Sequence, residues 1–233
     1  MDLFRKRQQS AQNAQQGAPD KMQAAVQHRK EQGRGPLDEW DMFANVMATR
    51  AALPDNHPSH LSLEQVTEMT AQEVHRATNL PLPNAFAVED SSGHAATSGG
   101  WAKRKGVMTQ KPTQFTMKKN YLESALGDIN RAENTDRFRK LVRTTAHELT
   151  HVGQRAMSAI MEHSTSQQRE MEAYSSEILQ HPALPALQGD QLRKTVSKFD
   201  KQAQALGRPL SPMEQGLSDQ VHKQAQTGKG VGN

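Results

Sequence analysis

An α+β fold, mainly helical with a small sheet, is what this sequence predicts, and three observations carry it. Apolar residues recur at helical spacing over several long stretches, most clearly from about 136 to 157 and from 190 to 206. Cap signals stand at the heads of these stretches: Ser, Thr or Asp, some with Gln or Glu three positions on. Between 85 and 117 the pattern changes to short, loosely alternating runs broken by Gly and Ser, which reads as extended chain and turns.

The chain has 233 residues, of which 34% are apolar and 23% charged. Globular domains carry about 45–50% apolar residues when Gly is counted, so part of this chain is expected to remain outside a packed core. Residues 1–35 are rich in Gln, Lys and Arg and hold almost no large apolar side chain after Phe4, and they read as a disordered polar arm. A helical N-terminal region is expected over 36–84. Leu37, Trp40, Phe43, Ala44 and Met47 mark one helix face, and Pro54 and Pro58 break it. Ser62 with Gln65, and Thr70 with Glu73, are capping boxes for a helix between about 62 and 78, ended by Asn79 to Pro83.

The main domain is placed at 85–227. Ala85 to Glu89 is a strand candidate, Ser91-Ser92-Gly93 and Ser98-Gly99-Gly100 are turn signals, and Gly106 to Met117 reads as extended chain. Pro112 within that stretch predicts an edge strand or a break. Tyr121 to Leu126 reads as a helical turn. Asn134-Thr135-Asp136 supplies N-cap choices for a strong helix to about Met157, with Phe138, Val142, Thr145, Ala146, Leu149, Gly153 and Ala156 as its core face. Ser164 with Gln167 caps the next helix, which Pro182 ends. Asp190 starts another, with Leu192, Val196, Phe199, Ala203 and Leu206 inward and Gly207 after its end. Ser211, Pro212 and Glu214 open a last helix, and 228–233 is a loose tail.

Charge and cysteine usage narrow the chemistry. The formal charge is +4, and the excess lies between Trp101 and Arg143, where eleven Lys or Arg face four Asp or Glu. This reads as a solvated basic face; without RNA-recognition motifs or interleaved aromatics, nucleic acid is not the expected partner. With no cysteine, disulfides, thiolate metal sites and thiol nucleophiles are excluded. No apolar run approaches the roughly 20 residues of a membrane span. The start, Met1 to Arg7, lacks the apolar segment of a secretory signal, so synthesis in the cytoplasm is expected, followed by export through a specialised system or by retention.

Chemistry concentrates at His147-Glu148-Leu149-Thr150-His151. Four residues apart on a helix, the two imidazoles point about 40° from one another, one turn along the same face. Both can reach one metal ion, and Glu148 beside them is placed to act as general base on a metal-bound water. A catalytic zinc takes three protein ligands. Here the third must be His, Asp or Glu, and the next helix offers Glu170, Glu172 and Glu177. Glu170 and Glu172 point about 160° apart, so one of the two faces the metal. His163 is a further, less suitable choice.

The run His147-Glu148-Leu149-Thr150-His151-Val152-Gly153-Gln154, followed by Glu170-Met171-Glu172-Ala173-Tyr174, resembles the gluzincin-like HExxH zinc metallopeptidases of bacterial toxins and injected effectors. The likeness spans roughly Gly106 to Ile178. It implies a zincin-like fold, Zn2+ as cofactor, a protein or peptide substrate, and metal ligands His147, His151 and Glu172, with Glu170 as the alternative that thermolysin-like spacing favours. It also implies an edge strand before the HExxH helix that pairs with extended substrate, for which Gln114 to Lys119 is the candidate. Lys118 and Lys119 would then favour acidic substrate residues. Partners in keeping with the resemblance are a secretion machine or a cognate immunity protein. A transition-state oxyanion needs a donor besides the metal; His94, Tyr121 and Tyr174 are the candidates. Glu177 or Asp136 is the expected acceptor behind a ligand imidazole. The competing functions are a cell-wall amidase or peptidase, which uses the same chemistry, and a non-catalytic zinc-containing binding protein, against which Glu148 argues.

Overall fold

The computed structural model describes residues 39–127, 132–179, 183–187 and 189–227. The polar arm, the tail from 228, Leu37 and Pro182 lie outside these residues. In chain order the elements are α1 (Glu39–Ala51), α2 (Leu63–Thr78), β1 (Ala85–Glu89), β2 (Ala95–Arg104), β3 (Val107–Lys118), α3 (Lys119–Ala125), α4 (Ala132–Ala156), α5 (Ser158–His163), α6 (Ser166–Ile178), α7 (Gly189–Ala205) and α8 (Pro212–Thr227). The fold is α+β and mainly helical, with one three-stranded sheet.

Local signals set most of these bounds. Ser62 and Gln65 form the full capping box of α2, and Asn79 takes the left-handed conformation that closes it. Thr70 is no cap; its hydroxyl turns back to the Val66 carbonyl inside the same helix. The box that opens α6 lies one residue beyond the sequence expectation. Thr165 and Gln168 make it, and Ser164 instead donates its backbone N–H to the Ile160 carbonyl at the end of α5, a short helix the sequence did not announce. At α8, Ser211 and Glu214 exchange hydrogen bonds as expected. The helix expected to begin at Asn134 to Asp136 is already formed at Ala132.

The sheet departs furthest from expectation. Its order is β1-β3-β2, with β1 parallel and β2 antiparallel to β3. Gln114 to Lys118 therefore lies in the central strand, not at an edge, and Lys119 already begins α3. Ser98-Gly99-Gly100 is not a turn but an irregularity within β2, opposite Pro112. Pro112 is tolerated there because β1 pairs only with residues 114–118 of β3 and has ended before that level. Both glycines have positive φ, and a side chain on Gly99 would run into the Pro112 carbonyl.

Helix α4 is the centre of the molecule. Residues 141 to 150 are all buried, because α2, α3, β2 and α6 surround it. Its Phe138, Leu141, Val142, Ala146, Leu149 and Val152 pack with Trp40, Met47, Val66, Val74, Phe115, Met117 and Leu122. The 36–84 region thus shares one core with the sheet. Gly153 and Ala156 are not core positions: Gly153 is half-buried against Pro81, and Ala156 is exposed. A second cluster joins Met171 and Ile178 of α6 to Leu192 and Phe199 of α7 and Val221 of α8.

Among α4's buried side chains is a cation. Arg143 donates to the carbonyls of Leu179 (3.1 Å), Leu184 (3.2 Å) and Pro185, all in the connection between α6 and α7. Burial pushes its pKa down to about 10, which leaves it charged at neutral pH.

Candidate metal centre

One face of α4 and one face of α6 meet at the end of β2. His147 and His151 project from α4 one turn apart, with ring centroids 4.9 Å from each other. Across from them is Glu170: its Oε2 is 3.6 Å from His147 Nε2 and its Oε1 is 3.3 Å from His151 Nε2. Nitrogen and oxygen donors of these three residues lie within 4.8 Å of one another, a His-His-Glu group able to hold a metal ion. Burial acts to raise the Glu170 carboxyl, but the two histidines outweigh it and hold the group well below the usual carboxylate range.

The third donor is thus Glu170, where the resemblance favoured Glu172. The reason lies in the phase of α6. Glu170, Tyr174 and Glu177 sit at i, i+4 and i+7, on the stripe that faces α4. Glu172 accepts instead from Gln154 Nε2 at 2.8 Å. That bond still serves the site. Gln154 Nε2 also donates to the Arg169 carbonyl at 3.1 Å, so both amide protons have acceptors and Oε1 is left to accept from His151 Nδ1 at 2.8 Å. His151 is thereby oriented through Nδ1, and its Nε2 faces Glu170. Burial alone lowers the His151 pKa, yet Glu170, Gln154 and Glu148 together raise it above the ordinary value.

His147 has a carboxylate neighbour at Nδ1 but makes no hydrogen bond there. Its Nδ1 is 3.3 Å from Glu177 Oε2, and Glu177 in turn meets Lys140, whose Nζ donates to Thr195 Oγ1 at 3.1 Å. Of the two acceptors expected behind the imidazoles, Glu177 is the one present. Asp136 lies about three turns up α4 from His147, where its carbonyl accepts from Gln191.

Glu148 is buried beside the two imidazoles and lines the same cleft, which has a volume of about 360 Å3. Its Oε2 is 2.8 Å from Thr97 Oγ1, on β2, and the same hydroxyl is 3.0 Å from the Glu148 carbonyl oxygen. Tyr174 lines the cleft with its ring 4.6 Å from that of His147, and burial followed by the charges of Glu170 and Glu148 raises its pKa, keeping the phenol protonated. Tyr121 and His94 stack on each other at 4.4 Å and line no part of the cleft; the Tyr121 hydroxyl is engaged with Thr144. His163 is exposed at the end of α5, beside Glu162. Lys118 pairs with Glu89 at 2.7 Å, away from the cleft.

Sequence reasoning missed Thr97, Arg155, Arg169 and the part played by Gln154. Gln154 had a signal, being three positions after His151 on the same helical face. Thr97 had none, because only strand pairing brings β2 to α4. Comparison of the chain with protein-family models, with curated proteins and with solved structures finds no match. No helix among the described residues is long and apolar enough to cross a membrane.

Proposed function

We propose that this chain is a zinc-dependent peptidase of zincin type, with His147, His151 and Glu170 as metal ligands and Glu148 as general base. The observation that carries the reading is the convergence of two imidazoles, one carboxylate and a neighbouring second carboxylate in one cleft. The donor set suits zinc. Two imidazoles and a carboxylate are a known catalytic set, and ligands about 2.1 Å from a tetrahedral zinc stand about 3.4 Å apart. The 3.6 and 3.3 Å separations between Glu170 and the histidines match that edge length. Of the imidazole nitrogens that face away from Glu170, that of His151 is hydrogen-bonded to Gln154 and that of His147 has Glu177 Oε2 at 3.3 Å, the kind of neighbour that orients metal-ligating histidines.

Bound zinc supplies Lewis acidity toward water and a carbonyl oxygen. The protein's own groups do the rest. Glu148, held at Oε2 by Thr97, accepts the proton that the attacking water loses and passes it to the departing amine nitrogen. Tyr174, protonated at neutral pH, is the hydroxyl in the cleft that donates to the oxyanion formed on the carbonyl. Extended substrate lies along β2, whose Ala95, Ala96 and Thr97 line the cleft and whose second edge no described strand covers. The strand-pairing role implied for Gln114 to Lys119 thereby moves to β2.

Purified protein is expected to carry about one zinc per chain. Replacing Glu148 by Ala is expected to leave that zinc in place and to lower peptide cleavage by about 10²-fold or more. Proteomic detection of new protein termini in cells expressing wild type, and none with Glu148→Ala, checks both substrate class and base. A zinc-free wild type, or a fully active Glu148→Ala, defeats the reading.

A further inference from the structure

Two arginines share the cleft with the metal group, and neither forms an ion pair with a carboxylate of the described residues. Arg155 follows His151 by one helical turn, and Arg169 immediately precedes Glu170. Both line the cavity. Arg155 donates through Nη1 to the Gly99 carbonyl at 3.1 Å; Arg169 donates through Nη1 to the Ser164 carbonyl and hydroxyl at 2.6 and 3.1 Å. Each guanidinium has five N–H donors in a planar fork, so most of the fork remains for something else. Elsewhere the arginines at 76, 139, 193 and 208 each meet a carboxylate. Among the described residues none meets Arg155 or Arg169.

The cleft's own acids are committed. Glu170 is between the histidines and Glu148 is held by Thr97; Glu172, outside the lining, is bound to Gln154. Arg155 and Arg169 face this one cavity from α4 and α6. Two like charges brought together in a cavity are held at an electrostatic cost that an incoming anion relieves. Their positions are built into the fold as well. Gly100 lets the β2 backbone pass so close to Arg155 that a side chain at 100 would strike the Arg155 Cβ and carbonyl, and this approach delivers the guanidinium to Gly99.

We propose that Arg155 and Arg169 form a carboxylate-binding subsite, so that the preferred peptide carries an acidic group next to the bond that is cut. This rests on the peptidase reading for the word substrate, but the binding itself does not. A peptide can supply the carboxylate from an Asp or Glu side chain or from its own C-terminus. Planar guanidinium forks match that group in bidentate fashion.

The test measures retention of peptides on immobilised metal-free full-length protein at low ionic strength, with cleavage by the zinc-loaded protein run in parallel. One pair of random peptide pools differs by Glu against Gln at a fixed internal position, with amidated C-termini. A second pair has no internal acid and differs by a free against an amidated C-terminus. About tenfold enrichment of the acidic member is expected in one pair, which identifies the source of the carboxylate. The enrichment is expected to vanish in the Arg155→Gln/Arg169→Gln double variant and to persist in part with Lys at both positions. Should the double variant fail to fold by circular dichroism, Arg169→Gln alone carries the comparison. Equal retention of acid and amide pools by wild type overturns the subsite, as does a preference that survives loss of both arginines. If zinc-loaded protein cuts neither pool while the acid preference stands, the peptidase reading falls and the subsite remains.

Discussion

Glu170 and Glu172 lie two residues apart and do different work. Glu170 faces both Nε2 atoms, whereas Glu172 orients Gln154 and, through it, His151. Glu170→Gln is therefore expected to abolish stoichiometric zinc, and Glu172→Gln to weaken it by about tenfold, the usual effect of losing an outer hydrogen-bond partner. Zinc titrations of the two variants check this. Proton competition gives a second expectation. The His151 pKa is raised above its ordinary 6.5, so in metal-free protein the imidazole holds a proton to higher pH than a free histidine. Zinc affinity is thus expected to begin falling while the pH is still above 6.5, as protons compete for Nε2; a titration series from pH 8 to 5.5 reads it. How much of the site the sequence disclosed follows from which residues share a helix. His147, Glu148 and His151 were legible because one helical turn fixes their relation. Glu170 against Glu172 was not, because the phase of α6 relative to α4 is set by packing and not by spacing. The Glu170, Tyr174, Glu177 stripe would have decided it, since only that face gathers three groups of use to the site.

At the scale of elements, the sequence disclosed the helices and misjudged the sheet. Capping boxes act over four residues and can be read locally, so α2 and α8 begin where their caps indicate. Strand order depends on contacts between distant residues. Gln114 to Lys118 has the look of an edge because Pro112 precedes it, yet the proline stands only where β1 has already ended. A cluster of Ser and Gly that reads as a turn became an irregularity inside β2, because Pro112 and Arg155 crowd the strand from two sides. The connection between α6 and α7 shows an element held by one side chain. Arg143→Leu would leave the carbonyls of Leu179, Leu184 and Pro185 without their buried donor. A loss of about 3 kcal/mol in urea unfolding is expected, together with weaker zinc binding, since that connection anchors the end of the helix bearing Glu170.

At the scale of the whole molecule, the described residues form two hydrophobic clusters, and the candidate metal centre spans them. His147 and His151 belong to the helix at the heart of the first, whereas Glu170 rides on the helix that opens the second. A metal bound by all three would tie the clusters together. At a free zinc concentration 1,000-fold above Kd, binding adds about 4 kcal/mol to the folded state, which for a chain of this size corresponds to a Tm shift of roughly 10 °C. Removal of zinc by a chelator is expected to lower the calorimetric Tm by about that amount in wild type and to leave Glu170→Gln unchanged. Prolines and caps delimit the parts of these clusters in the sequence; which helix joins which cluster is not marked there, because the stretch of α4 from 141 to 150 is buried on every side although more than half of it is polar.

The Thr165–Gln168 box that opens α6 bears on how relatives of this chain would be sought. It fixes where the helix starts, and with it the direction in which Glu170 points five residues later. Length changes in the connector around His163 would leave that direction untouched, but a one-residue insertion within α6, between the box and Glu170, would turn the carboxylate by about 100° away from the histidines. The informative spacing is therefore from cap to carboxylate rather than from His151 to carboxylate. A pattern of HExxH, a gap of free length, then Thr-x-x-Gln-x-Glu with Tyr and Glu four and seven positions further on, describes the centre better than any fixed interval between its ligands.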